Sequence, residues 1–513
     1  MNRVKILVGL LILATATVGC SDFLSEVPDN RTQIDTPKKV GELLVGAYPN
    51  TSHAEFAEQM SDNVVDSGRL HFTSLQTEQN YQWLPATEED IDSQYAFWMD
   101  SYKAIASANK ALEALEEMQK EYANKPSSNY GLKQLRAEAL LARAYNHFML
   151  VNLWAKSYNP ATAESDLGVP YVTTVETQLK QEYKRHSVAE VYKFIEQDLL
   201  EGLEGIKGAS YSSPEIAKYH FTEASAKAFA ARFYLFKGDY AKTIEYSNQL
   251  GNVPVGKLRD VYDSRKWDDK QNNREFAKTD KVTNLLVANS ESIKGRSQHT
   301  TRFVLTSAVA SRDKGLFTAD ANPLGITWNY PSATYQNNDV YYVPKFYEYF
   351  KIKDFTNMTG NPYVAFVLFS NDMLYLDRME AFVMEDRIDE ALKMYSYLVL
   401  SRSLIKPELK PEDLLDVMEY EYVEELFPYV PGKYTPLKTI NEKQAVMLEA
   451  VADMRRREGF EEGYRWFDIR RFGLEVKHQM VGGPEIILKK GDLRYQLQIP
   501  QVAIDNGIQA NPR

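Results

Sequence analysis

From Trp98 onward apolar side chains return at three- and four-residue steps, and Trp98, Tyr102, Ile105, Ala108, Leu112 and Leu115 make one stripe of a helix. Residues 134–154, QLRAEALLARAYNHFMLVNLW, predict a second helix whose Ala137, Ala139, Ala142 and Ala144 let a neighbouring helix come close. A third is predicted over HSVAEVYKFIEQDLLEGLEGI, where Ser187 and Glu190 have the spacing of a capping box. In EASAKAFAARFYLFKGDYAKTIEYSNQL, residues 223–250, the pattern breaks at Gly238-Asp239 and resumes, which predicts helix, tight turn, helix. YLDRMEAFVMEDRIDEALKMYSYLV offers a second such pair. Helical periodicity fades over residues 60–97 and 251–370, where Asn, Asp, Ser and Pro mix with clustered aromatics. These two stretches read as ordered loops carried on a rigid frame, the places where binding groups tend to sit.

The two hairpins look like degenerate tetratricopeptide repeats. Gly238, Asp239, Tyr240, Ile244 and Tyr246 carry the first, with Thr243 where a small alanine is usual; Asp389, Glu390, Ala391, Leu392 and Tyr395 carry the second. Spacing alone admits generic antiparallel helices as well. Each hairpin leaves an apolar face that a neighbour must cover, so a stacked scaffold follows. The expected fold class is mainly α: a tetratricopeptide-like helical-hairpin scaffold, chiefly over 98–250 and 372–402, carrying an irregular, loop-rich binding region with minor β.

The chain begins with an export pattern. Arg3 and Lys5 precede a largely apolar region of thirteen residues, Ile6 to Val18. As a helix these span about 20 Å, short of the roughly 30 Å of a bilayer core, so residues 1–19 read as a cleaved signal. TVGC, ending in the single cysteine Cys20, resembles a bacterial lipobox with Thr17 where leucine is usual. Lipidation of Cys20 is therefore expected, with residues 20–37 as tether and 38–513 as one folded body. No later stretch approaches 18 uninterrupted apolar residues, so the chain is expected to be anchored rather than spanning.

Composition narrows the chemistry. One cysteine excludes zinc ribbons, iron–sulfur clusters and disulfide scaffolds. A formal charge of −11 offers no global basic surface for duplex nucleic acid. The seven histidines contain no pair spaced for a helical zinc site, and neither G-x-S-x-G nor G-x-G occurs. GNVPVGKL, residues 251–258, matches most of a phosphate-binding loop, but Leu258 replaces the hydroxyl that must reach magnesium. Gly251 reads better as a helix C-terminal glycine. No acidic pair stands in a recognisable catalytic context, so no catalytic residue, metal or cofactor is expected. RRREGFEEGYRWFDIRRFG, residues 455–473, alternates charge so closely that it predicts a salt-bridge lattice over Phe460, Trp466, Phe467 and Ile469.

The order of these segments resembles the RagB/SusD family of Bacteroidetes surface lipoproteins over essentially the whole chain. The marks are Cys20 followed by SDFL, FWMDSYKAIASANKAL, RAEALLARAYNHFMLV, LGVPYVT with HSVAEVYKFIEQDLL, ASAKAFAARFYLFKGDY, EGYRWFDIRRFG and the closing IPQVAIDNGIQANP. Departures are Gly459, where an apolar or aromatic residue is usual, and an end at Arg513 without the common Gly-Tyr. The resemblance implies a non-catalytic lid at the cell surface, lipid-anchored to the outer membrane. The lid would capture an oligosaccharide or polysaccharide and pass it to a TonB-dependent, SusC-like outer-membrane barrel. Peptide cargo, a lid without cargo, and a glycoside hydrolase are the other readings. For sugars, aromatic platforms stack on C–H faces while amides and carboxylates bond the polar rim. The candidate platforms are Tyr81 with Trp83, and Trp328 with Tyr330, Tyr335, Tyr341 and Tyr342; the candidate polar partners are Asn80, Gln336, Asn337 and Asp339. Trp98, Trp154 and Trp466 are assigned to the core, and Trp267 is left open.

Overall fold

The computed structural model describes residues 34–68, 73–122, 126–176, 181–251, 253–335, 339–406 and 408–513. Cys20 with the signal and most of the tether, and Gln336 and Asn337, lie outside the described residues. In chain order the helices that matter below are α1 (Ala54–Gln59), α2 (Leu75–Tyr81), α3 (Gln94–Tyr122), α4 (Pro126–Trp154), α5 (Val188–Gly205), α6 (Glu223–Lys237) and α7 (Tyr240–Ser247). They continue with α8 (Asp269–Phe276), α9 (Lys294–Thr300), α10 (Asn371–Met384), α11 (Ile388–Ser401), α12 (Glu442–Glu458) and α13 (Tyr464–Phe472). The predicted mainly α, hairpin-built class is what the chain adopts.

Local chemistry explains the helix ends. Ser187 and Glu190 form the anticipated capping box at the start of α5. Gly238 closes α6 at φ 84°, a left-handed conformation that glycine adopts without cost, and Asp239 then accepts from the Lys242 amide to open α7. Tyr234 and Tyr246 stack across that hairpin with centroids 5.6 Å apart. The alanines of α4 do admit a close neighbour: a Cβ on Gly205 of α5 would fall 2.7 Å from the Ala137 Cβ. Gly251 ends a short 3-10 turn, and Lys257 of the phosphate-loop look-alike donates to the Gln249 and Leu250 carbonyls at 2.8 and 3.1 Å. That lysine caps a helix end.

Helix α10 is the axis of the scaffold. It packs against α6, α7, α11 and α12, and all fourteen of its residues are buried. Buried charges must be paired, and those of α10 are. Asp377 meets Arg232 at 2.6 Å, Asp372 meets Arg402 at 2.6 Å, and Glu380 meets Arg455 at 2.7 Å and Arg471 at 2.8 Å. Arg455 also reaches Asp468, and Arg465 grips Asp62 through two bonds of 2.7 and 2.8 Å. The lattice expected from residues 455–473 is thus present, but it lies inside the protein. Trp98, Trp154 and Trp466 are core residues.

Strand content is small. β1 (Asn284–Glu291), β4 (Glu348–Asp354) and β5 (Thr359–Ser370) form an antiparallel sheet in the order β1-β5-β4, with Val287 opposite Val367 and Phe350 opposite Pro362. β2 (Ala333–Tyr335) pairs with β3 (Val340–Tyr342), Thr334 opposite Tyr341. β5 runs straight into α10, where Ser370 caps by accepting from the Met373 amide. This joint fixes the loop-rich region to the scaffold axis. Among the described residues no helix is long and apolar enough to cross a membrane.

Candidate functional site

Two cavities open in the loop-rich region, and their linings differ in kind. The larger, about 470 Å³, lies between residues 256–283, 343–345 and the start of α10, with Trp267, Phe276, Val282, Val343 and Met373 among its walls. Its floor is a closed ionic network. Arg402 donates to Glu458 and Asp372 at 2.6 Å each, and Lys345 donates to Glu462 at 2.6 Å and to the Glu458 and Phe460 carbonyls. Every buried polar side-chain atom among its lining residues has a partner. Nothing in that floor asks for a ligand.

The smaller cavity, about 230 Å³, forms where the two loop-rich stretches meet. One wall is Thr73 to Thr77 and Glu88 to Asp92; the other is Ile293 to Thr301 with Glu55 beside it. The chain builds this junction deliberately. Ser74 caps α2 by accepting from the Thr77 amide, and Ser93 accepts from the Ala96 amide at the start of α3. Between them Asp92 takes φ 63°, a left-handed turn that aspartate tolerates better than most residues. Its Oδ2 accepts from the Ile293 amide at 2.8 Å and so ties one stretch to the other. Glu55 of α1 receives Lys294 at 2.8 Å, Ser297 at 3.0 Å and Gln59 at 2.7 Å.

Three buried oxygens lining this cavity have no hydrogen-bond partner in the protein: Thr73 Oγ1, Asp92 Oδ1 and Thr301 Oγ1. Leaving such groups unpaired costs about 1–3 kcal/mol each, so their convergence on one opening marks a place built to be completed. Burial and the neighbouring charge of Glu55 push the Asp92 carboxyl up to about 7, against the Ile293 amide, the Ser292 hydroxyl and Lys294. On the helix that supplies Ser297 and Thr300 to the cavity, His299 of α9 carries two rings. Tyr335 meets it edge-on at 4.6 Å, and Tyr342 stacks at 4.9 Å while its hydroxyl donates to Asp269. Burial holds the His299 imidazole below its ordinary value. Tyr335 keeps 38% of its surface exposed and forms an aromatic ledge.

The structure distributes the sequence candidates unevenly. Tyr335 and exposed Asp339 lie on the β2–β3 pair, and half-buried Tyr341 stacks on Phe317 at 5.3 Å. Tyr342 is buried behind His299. Trp83, Tyr81 and Asn80 face inward. Trp83, His478, Tyr81 and Phe303 form one stack with successive centroids 4.4, 3.9 and 4.2 Å apart, and the Trp83 indole donates to the Met60 carbonyl. Asn80 is consumed by Gln59 and Gln94. Trp328 lies under the Arg457 guanidinium at 4.5 Å, and Tyr330 donates to buried Glu458. Four of these side chains are enclosed by protein because flat rings and an amide serve equally well as packing when neighbours cover both faces, while Tyr330, also buried, borders the larger cavity. Trp267, left open by the sequence, is half-buried at the larger cavity with Lys281 over its ring. The residues that sequence reasoning passed over are Thr73, Thr301 and Asp92. Their one signal was Glu88-Glu89-Asp90-Ile91-Asp92, four acids in five positions outside any helix.

A family model described as starch-binding, associating with outer membrane, matches residues 22–235. Residues 22–235 are thus similar to the SusD-like family. Solved structures with this fold include a SusD superfamily protein from Bacteroides vulgatus (15% identity, 93% of this chain and 99% of that one, TM-score 0.64). A SusD superfamily protein from Bacteroides thetaiotaomicron is similar (17% identity, 93% and 100%, TM-score 0.61). So is a SusD-like carbohydrate binding protein from Bacteroides vulgatus (16% identity, 92% and 96%, TM-score 0.60). No curated protein matches the sequence. At such identities the SusD-like relatives inform the fold, and this chain's site must be argued from its own residues. Among those described, no group of three or more His, Cys, Asp or Glu side chains is placed to hold a metal ion.

Proposed function

We propose that this SusD-like protein is a non-catalytic carbohydrate receptor at the cell surface, taking its ligand at the junction cavity and the Tyr335 ledge. The observation that carries this reading is that Thr73 Oγ1, Asp92 Oδ1 and Thr301 Oγ1, unpartnered and buried, line one cavity, whose helix α9 also carries His299 against the exposed ring of Tyr335. Sugars offer what this arrangement lacks: hydroxyls for the three oxygens and a C–H face for the tyrosine. The family description and the carbohydrate-binding relative support the ligand class. Anchoring through Cys20, residence on the outer membrane and delivery to a TonB-dependent barrel, which the protein would cover as a lid, complete the proposal.

Affinity electrophoresis of the protein through gels containing plant, microbial and host polysaccharides tests it. One or more polymers are expected to retard the wild type, and Tyr335→Ala is expected to reduce that retardation about tenfold with the melting temperature unchanged. Free migration of the wild type through every gel would overturn the carbohydrate reading. Retardation unaffected by Tyr335→Ala would move the site elsewhere.

A further inference from the structure

The junction cavity has an excess of acid that its own lysine and arginine do not meet. Lys294 is spent on Glu55, and Arg296, which also lines the cavity, is spent on Glu348, with Nε 3.0 Å from both carboxylate oxygens. Among the described residues no basic side chain pairs with Glu88, Asp90 or Asp92, all of which line the opening. Asp92 is 1% exposed, and its Oδ1 is one of the three oxygens with no partner. A carboxyl in that position has two ways to be satisfied. It can keep its own proton, or it can receive a cation that brings its own hydrogen-bond donors.

Resting on the assignment of this cavity as the carbohydrate site, we infer that its preferred ligand is a basic sugar, one whose ring carries a protonated amine in place of a hydroxyl. The ammonium would donate to Asp92 Oδ1 while the Thr73 and Thr301 hydroxyls bond neighbouring hydroxyls of the sugar. A hydroxyl can supply one donor to the same oxygen, but it leaves the acid excess of the rim unanswered. The free carboxyl is pushed up to about 7 by burial and by Glu55. Binding of an ammonium near pH 6 therefore releases the Asp92 proton to solvent as the carboxylate forms.

The probe pair is a β-1,4-linked glucosamine hexamer and cellohexaose, which differ only in the group at carbon 2. Titration calorimetry of the intact protein at pH 6 is expected to give at least about tenfold tighter binding of the glucosamine hexamer, the scale of a hydrogen bond to a charged group. Its N-acetylated form, without the charge, is expected to bind like cellohexaose. Asp92→Asn keeps the acceptor for the Ile293 amide and tolerates the left-handed turn, so it is expected to fold. It should bring the two hexamers to within about twofold of each other and abolish proton release measured in buffers of different ionisation enthalpy. Equal affinity of wild type for the three hexamers would overturn the amine preference and leave the carbohydrate reading standing. So would a preference that survives Asp92→Asn. A lysine hexapeptide bound as tightly as the glucosamine hexamer, with cellohexaose and the polysaccharide gels giving no binding, would overturn both.

Discussion

Two buried ionic clusters in this protein are balanced differently. In the first, burial pushes the Glu380 and Asp468 carboxyls up, but Arg455 and Arg471 outweigh it and hold both below the ordinary carboxylate range. In the second, Glu55 and Glu58 on α1, Asp92 ahead of α3 and Glu461 just past α12 face Lys294 on α9, with Lys345 behind and already engaged by Glu462. Burial wins there. Asp92 is pushed up to about 7, and Glu461 up to about 8 by burial and Glu58 against Lys294 and Lys345; Glu58 is raised as well. The same acids thus do different work according to the supply of cations. Where arginines match carboxylates, charge fastens helices together. Where they fall short, protons or a ligand complete the site.

The sharpest way to break this comparison is to remove a carboxylate from the balanced cluster. Glu380→Gln leaves Arg455 and Arg471 buried beside α10 with one of their two shared carboxylates gone and only Asp468 between them. A loss of about 3–5 kcal/mol is expected, because the uncompensated buried charge dominates. Urea denaturation measures it, and a loss below about 1 kcal/mol would mean that these pairs count no more than exposed ones.

Next in size is the contrast between enclosed and exposed aromatics. Trp83→Ala opens a hole in the four-ring stack with His478, Tyr81 and Phe303 and strands the Met60 carbonyl. It is expected to cost about 3 kcal/mol or more of stability. Tyr335→Ala, on the ledge, is expected to stay within about 0.5 kcal/mol of wild type. A comparable loss from both would dissolve the distinction between packing and platform.

How much of this was legible depends on range. Helix ends are decided by residues three or four apart, so the Ser187–Glu190 cap and the Gly238 turn could be read from the chain. The hairpins, the loop-rich stretches and the core tryptophans follow the same local periodicity. The depth of the 455–473 lattice could not be read, because Asp62, Asp377 and Glu380 reach it from distant segments. The site was the least legible part. Tyr335 and Trp83 look alike as aromatics in irregular sequence; only the arrival of His478, some 400 residues away, turns one of them inward. Thr73, Asp92 and Thr301 carry no motif at all, and what marks them is the absence of a partner, which exists only in three dimensions.

The last test probes both clusters in a single experiment, the dependence of stability on pH. In the folded chain Asp92 and Glu461 keep their protons up to about 7 and 8, whereas in the unfolded chain they release them near 4. Between those limits the folded state binds more protons, so stability falls as pH rises, by at most about 1.4 kcal/mol per pH unit for each group. Glu380 and Asp468 act in the opposite sense: their carboxyls are depressed, so their contribution holds above about pH 4 and is lost as pH drops through the folded-state values. Buried His53 and His147, held down to about 4 and about 3 by burial, also add stability as pH rises toward 7, so the decline owed to Asp92 and Glu461 is read by comparison with a variant that lacks them. Melting curves of wild type and of the Asp92→Asn, Glu461→Gln pair across pH 3–9 separate the limbs. The paired variant should flatten the decline between pH 5 and 8 and leave the acid limb in place. An unchanged decline in the variant would mean that other groups carry those protons and that the acid-rich corner is neutralised from within, which would remove the reason for it to seek a cation.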